Sequence, residues 1–212
     1  RERLVRVALA MADACERAGD PGQARDALER ALAGAPESHE IMQRLERVCE
    51  ATGDVGRLAK LLVSHAARLE EPAERARLLV RAANLLLESA HDAERALRAS
   101  EQALAADADN LEAVLVWAGA QRRAGHPHEA VAAIDRATSR AKGKRTPLLA
   151  RLHLEAARAH LDVDEVVEAF DSLKSGFNMD WRNADLALLL GLVAIDLDDE
   201  KLAERALVGR TP

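Results

Sequence analysis

Aromatic side chains are almost missing from this chain of 212 residues: they make up 2% of it, tyrosine is absent, and only two tryptophans and two phenylalanines occur. Strands favour β-branched and aromatic residues, so the composition disfavours sheets and favours closely packed helices. Long apolar runs are lacking too, since none reaches the roughly 20 residues that a bilayer span needs. Direct membrane insertion is not expected. Cysteine is scarce: Cys15 and Cys49 each stand four residues before a turn glycine. Equivalent sites in neighbouring helical units lie about 8–10 Å apart, beyond disulfide reach, so both read as buried free thiols. Positive charge is not in excess either. A formal net charge of −6 and a pI near 5.7 argue against a nucleic-acid binder, which needs a basic surface to displace counterions.

Chemistry-bearing patterns are equally sparse. The glycine-rich fingerprint that cradles phosphates is absent, and no Ser/His/Asp or Cys/His order resembles a nucleophilic motif. His126 and His128 flank Pro127, and His153 and His160 lie seven apart on one helix. Neither pair gains the third ligand that zinc requires, so neither a metal nor a cofactor is expected, and an enzyme is not the reading.

What the chain does have is a recurring pattern. Hydrophobic residues reach 49%, much of them Ala and Leu, beside 31% charged residues, which suits helices that each keep one wet face. The run from Gly19 to Pro36 reads as a tight turn followed by a helix carrying Ala24, Ala27, Leu28, Ala31 and Leu32, stopped by Pro36. Asp20 supplies its N-cap and Pro21 its first helical residue. The preceding helix places Leu4, Val5, Ala8, Met11, Ala12 and Cys15 on one stripe. Corresponding turn residues are expected at Gly53, His91, Gly125, Leu161 and Leu197, in steps of 34, 38, 34, 36 and 36 residues.

This spacing, with Gly-Asp at the turn, Ala at the start of the second helix, Ala-Leu near its end and then Pro, resembles the tetratricopeptide repeat family. HEAT-type solenoids, with longer periods of about 40–47 residues, are the structural alternative. The resemblance covers nearly the whole chain, although the Trp and Tyr usual in the first helix give way to Ala, Met, Val and Leu, with Trp117 the main survivor. It implies an all-α, right-handed α-solenoid of six helix-turn-helix repeats over 1–212, at about 1–36, 37–71, 72–108, 109–145, 146–179 and 180–212. The chain opens at Arg1 in helical character and reads as a fragment of a larger, bacterial-type protein. The polar stretch Lys142–Pro147 is expected to be a joint or a protease-sensitive site.

The resemblance further implies that the first helices line a concave groove that holds a protein or peptide. Projection onto that face collects Arg44, Arg47, Arg81, Arg122, Arg123, Arg151 and Arg158, a strip suited to an acidic partner or a terminal carboxylate. Against it stands a solvated face on which Glu40, Glu50, Glu88, Glu112 and Glu155 pair locally. The run Ala184–Ile195 is apolar nearly all round. It is either an internal repeat helix covered on several sides or, through Leu188, Leu192 and Ile195, a self-association surface that makes a homo-oligomer through the C-terminal repeat. The expected function is a non-catalytic, cytoplasmic protein-interaction scaffold. The alternative is a regulatory or sensory part of a larger enzyme or transcription regulator.

Overall fold

The computed structural model describes residues 2–141 and 143–208. Among them are twelve α-helices and no strand, arranged as six antiparallel pairs. The pairs are α1 (Glu2–Arg17) with α2 (Pro21–Gly34), α3 (His39–Thr52) with α4 (Val55–Ala66), and α5 (Pro72–Asn84) with α6 (Ala93–Ala106). They continue as α7 (Leu111–Arg123) with α8 (Pro127–Arg140), α9 (Pro147–Leu161) with α10 (Val166–Met179), and α11 (Ala184–Asp196) with α12 (Glu200–Leu207). The end of α5 widens into a π-wound turn, Leu85–Ser89.

Local chemistry sets most helix starts. Side chains of Asp20, Ser38, Asp54, Asp92, Asn110, Thr146, Asn183 and Asp199 accept hydrogen bonds from backbone N–H groups of the turns they open, which satisfies donors the helix cannot. Within each pair the chain reverses through a residue of positive φ: Gly19, Gly53, His91, Gly125, Asp164 and Asp198. The steps between them are 34, 38, 34, 39 and 34 residues. The last two turns therefore do not fall at Leu161 and Leu197. Both are occupied by Asp, whose short polar side chain tolerates the left-handed conformation better than Leu does. Of the polar joint, Lys142 lies outside the described residues, while Thr146 caps α9 through the Leu149 N–H at 3.2 Å.

The core forms three overlapping clusters, one from α1 to α7, one around α7, α8 and α9, and one from α9 to α12. Alanine dominates the tightest contacts: Ala24, Ala59, Ala82, Ala96, Ala130 and Ala169 are fully buried, and their small side chains let helices of a pair approach closely. The first helices α1 and α3, α5 and α7, and α7 and α9 touch one another, whereas among the described residues no comparable contact joins consecutive second helices. The stack therefore curves with its first helices inside. Cys49 is buried and Cys15 half-buried, both as free thiols, and burial pushes the Cys49 thiol above its ordinary pKa.

The tightness of this packing is testable at two glycines. A Cβ on Gly176 would sit 2.9 Å from Leu186 Cδ2 and 3.1 Å from the Ala150 carbonyl oxygen, whereas one on Gly56 would meet nothing within 4 Å. Gly176→Ala is expected to cost about 1–3 kcal/mol by overpacking. Gly56→Ala should be neutral or stabilising by up to about 1 kcal/mol, because it restricts the unfolded chain. Urea denaturation of both variants measures the difference.

Candidate functional site: the face of the first helices

Counting back 13, 10, 6 and 3 residues from each positive-φ turn defines one face of every first helix. On α9 these positions are Arg151, Leu154, Arg158 and Leu161; on α11 they are Asp185, Leu188, Leu192 and Ile195. The spacing follows the helical repeat, so the four side chains lie along one stripe.

Ion pairs cross between consecutive first helices along this face. Arg44 of α3 reaches Asp13 and, at 2.9 Å, Glu16 of α1. Arg81 of α5 pairs with Glu46 at 2.9 Å and with Glu50 of α3. Arg123 of α7 meets Glu88 at 2.9 Å and also donates to the Leu87 carbonyl oxygen, in the π-wound turn, at 2.8 Å. Arg122 of α7 faces the other way, to Glu155 of α9 at 2.7 Å and Asp162 at 3.0 Å. Arg158 of α9 reaches Asp185 of α11 at 3.4 Å. All five junctions are thus bridged by an arginine and a carboxylate, and α7 is the helix from which arginines extend in both directions.

Five of the seven arginines on this face are consequently matched by carboxylates. They make a ladder of alternating charge in place of a basic strip. Of the acidic residues expected to pair locally, Glu50, Glu88 and Glu155 do pair, but chiefly with the neighbouring first helix. Arg47 and Arg151 have no acidic partner among the described residues. Arg151 lines a cavity of about 220 Å³ with Asn84, Leu115, Leu154 and the carboxylates Glu88, Glu155 and Asp185, each of which is paired with another arginine. At Gly119 a Cβ would approach Leu87 Cδ2 at 3.2 Å and Glu155 Oε1 at 3.5 Å, so glycine keeps the floor of the groove open there.

The rungs differ in strength with their burial. Glu155 is only 7% exposed, and Arg122 is held above its ordinary pKa: burial alone would lower it, but hydrogen bonds and charge from Glu155 and Asp162 outweigh that effect. Elsewhere His153, on α9, is pushed below its ordinary pKa by burial, against a smaller opposing effect of Asp135. His160 contacts Glu165 through Nδ1 at 2.7 Å. No group of three or more His, Cys, Asp or Glu side chains able to hold a metal exists among the described residues.

α11 is not covered on all sides. Leu188, Leu192 and Ile195 are 55%, 49% and 53% exposed; by register they match Leu154, Arg158 and Leu161 of α9, which meet the pair that follows. A larger recess of about 560 Å³ opens on the second-helix side, lined by Leu104, Trp117, Arg136, Arg140 and Lys144. Its Arg140 is already paired with Asp109 at 3.0 Å. Sequence reasoning did not find Asn84, Asp13, Glu16, Asp162 or Asp185. A count back from the correct turn residues would have placed Asp13, Glu16 and Asp185 on this face.

Paired helices stacked into a curved rod with a lined inner face define an α-solenoid. Residues 5–48 match the family model described as Tetratricopeptide repeat, and the chain as a whole has the fold of tetratricopeptide-repeat solenoids. A crystal structure of TTC0263, a thermophilic TPR protein of Thermus thermophilus, is similar at 18% identity and a TM-score of 0.55, covering 90% of this chain and 99% of that one. Pseudomonas aeruginosa pilF is similar at 17% identity and a TM-score of 0.60, over 99% of this chain and 91% of that one. BtubC of P. vanneervenii aligns at 16% identity and a TM-score of 0.64, over 98% and 88%. At these identities the likeness is one of fold. No curated protein sequence matches the chain. Among the described residues no helix is long and apolar enough to cross a membrane.

Two measurements test the ladder and its surroundings. Glu155→Ala removes the buried partner of Arg122 and is expected to cost about 3 kcal/mol, whereas Asp13→Ala, at an exposed rung, should cost less than about 1 kcal/mol; urea denaturation reads both. Because the folded pKa of His153 lies below its unfolded value of about 6.5, stability should be full above that pH and decline as pH falls below it, where the unfolded chain takes up the proton first. His153→Gln should flatten the profile between about pH 5 and 7, before the carboxylates begin to protonate.

Proposed function

We propose that the protein is a non-catalytic scaffold that binds another protein, as a peptide or a surface segment, along the face of its first helices. One observation carries this reading: along that face most of the arginines are paired with carboxylates of a neighbouring first helix, but the Arg151 guanidinium is left unmatched beside a cavity. Arg6 and Arg47 are further cations on the same face without an acidic partner among the described residues, and Glu40 and Glu112 are carboxylates there without a basic one. A guanidinium fork without a carboxylate suits an acidic side chain or a chain terminus, which it binds through two parallel hydrogen bonds. The coarse role agrees with the family, whose repeats serve in protein interaction. An acidic partner is the finer part of the proposal.

The paired rungs explain why this groove would select and not merely attract. Each internal pair already satisfies its own charge, so a generally acidic chain gains little from them and meets Glu and Asp as often as Arg. A partner gains without displacing a rung where it brings carboxylates to Arg6, Arg47 or Arg151 and keeps its own acidic groups away from Glu40 and Glu112.

Site-specific photocrosslinking tests the reading. A benzophenone-bearing residue placed at Gln43, on the groove face of α3, is expected to crosslink a discrete partner in cells of the source organism. The same residue at Gln102, exposed on the second helix α6, is not. Crosslinks confined to Gln102 would overturn the groove as the binding face. Arg47→Gln with Arg151→Gln should reduce the Gln43 crosslink about tenfold through loss of two charge-assisted contacts.

A further inference from the structure

The recess of about 560 Å³ on the second-helix side lies between α6, α7 and α8, with helix pairs before and after it in the stack. Half-buried Leu104 and Trp117 and buried Val114 form its floor, and Ala133 and Ala137 of α8 its wall. Exposed Arg136, Arg140 and Lys144, at four-residue steps, form its rim. A recess in the second pair corresponds to it position by position. Counted from the turn of its own pair, each of Leu104, Trp117, Ala133, Arg136 and Arg140 stands where Leu32, Leu45, Leu61, Ser64 and Arg68 stand there. That recess is smaller, about 400 Å³: buried Leu61 occupies the place of Ala133, and Arg68 donates to the Pro36 carbonyl oxygen at 2.9 Å. The fourth pair has thus exchanged a core leucine for alanine, set an indole in the floor and put arginine where the second pair has serine. Arg140 is held by Asp109 at 3.0 Å, the one carboxylate lining the recess among the described residues, which leaves Arg136 and Lys144 without an acidic partner there.

We infer that this recess is a binding site for a small amphiphilic carboxylate, of the chemical class of a medium-chain fatty acid: the apolar body lies on Trp117 and Leu104, against Ala133, and the carboxylate meets Arg136 and Lys144. A recess of this volume, with an apolar floor and a few polar groups converging at its mouth, has the size and lining of small-ligand sites. The floor by itself would accept any hydrophobe, and the two uncompensated cations decide the sign of the head group. A carboxylate without an apolar body would make only exposed ionic contacts, which are weak in water. The surroundings favour a small ligand over a protein segment. Among the described residues no large apolar side chain of α6, α7 or α8 is exposed, so the apolar surface is confined to the recess and no patch around it offers the wider contact that a protein interface needs. The site is on the second-helix side and is independent of the groove reading.

The probe is decanoate, kept below the concentration at which it forms micelles, with decyltrimethylammonium and acetate as counterparts. Trp117 reports binding directly once Trp181→Phe has removed the other tryptophan. Decanoate is expected to change the Trp117 emission saturably, decyltrimethylammonium to act at least about tenfold more weakly, and acetate to have no effect. Arg136→Gln with Lys144→Gln should weaken decanoate binding about tenfold and flatten its salt dependence. Ala133→Leu, which installs the residue of the second pair, should fill the recess and abolish binding; should it disturb the packing seen by circular dichroism, the rim variant, at exposed sites, still decides. Lys60→Gln, beside the second-pair recess, should change nothing. An equal response to decanoate and to either counterpart, or binding indifferent to the rim variant and to Ala133→Leu, would overturn the site. So would a leucine–glutamate peptide that shifts Trp117 at lower concentration than decanoate does, since the recess would then belong to a protein partner. Crosslinking at Gln43 reads the first-helix face, so the groove and the recess stand or fall separately.

Discussion

Each helix pair buries too little apolar surface by itself, and the structure depends on the next pair covering what remains. The dependence can be followed at two positions, 12 and 8 residues before each turn. They hold Ile41 and Leu45, Leu79 and Ala83, Leu152 and Ala156, and Leu186 and Leu190, all buried, and Ala113 with half-buried Trp117. In the first pair the same positions are Val7 and Met11, 49% and 48% exposed. The same kind of residue is thus core or surface according to whether a preceding pair lies against it. Stacking is the constraint from which the turns, the small-residue contacts and the inner face all follow.

Stacking by apolar contact says little about lateral register, and here the arginine ladder adds specificity. An exposed ion pair contributes little stability, so most rungs act by penalising the wrong neighbour: a shifted pair would set like charges together or strand a guanidinium. The Arg122–Glu155 rung differs because it is buried, and breaking it leaves a charge with poor access to water. Its place on α7 matters, since that helix belongs both to the cluster extending from α1 and to the cluster leading into α9. One helix therefore links the two halves of the rod through packing and through Arg122 and Arg123. The consequence is an inner face on which most arginines are already matched by carboxylates of a neighbouring first helix.

Much of the fold was legible in the sequence because turn chemistry is local. Gly19, Gly53 and Gly125 announce a left-handed residue, the Asp or Asn caps announce helix starts, and alanines at fixed distances from the turn announce close packing. Legibility declined where the turn glycine gave way to Asp164 and Asp198, and the turns were then expected at Leu161 and Leu197. That small shift matters, because a helix face changes with every residue: only from Asp198 do Leu188, Leu192 and Ile195 fall into register with Leu154, Arg158 and Leu161 of α9. The ladder was less legible still. Its hydrogen-bonded partners lie between 27 and 40 residues apart in sequence, so the arginines could be listed from the sequence but not matched to the carboxylates that neutralise them. The π-wound turn at Leu85–Ser89, which presents a backbone carbonyl to Arg123, has no simple sequence signature.

The central claim is that the inner face of the first helices, in the register set by the turns, is the surface that meets a partner. Methyl NMR of leucine-labelled protein, titrated with a synthetic glutamate-rich peptide, tests it most directly. The account predicts shifts at Leu115 and Leu154, which border the Arg151 cavity, with the second-helix methyls of Leu32, Leu97 and Leu104 unmoved. Shifts concentrated on those second-helix methyls, with Leu115 and Leu154 silent, would contradict it.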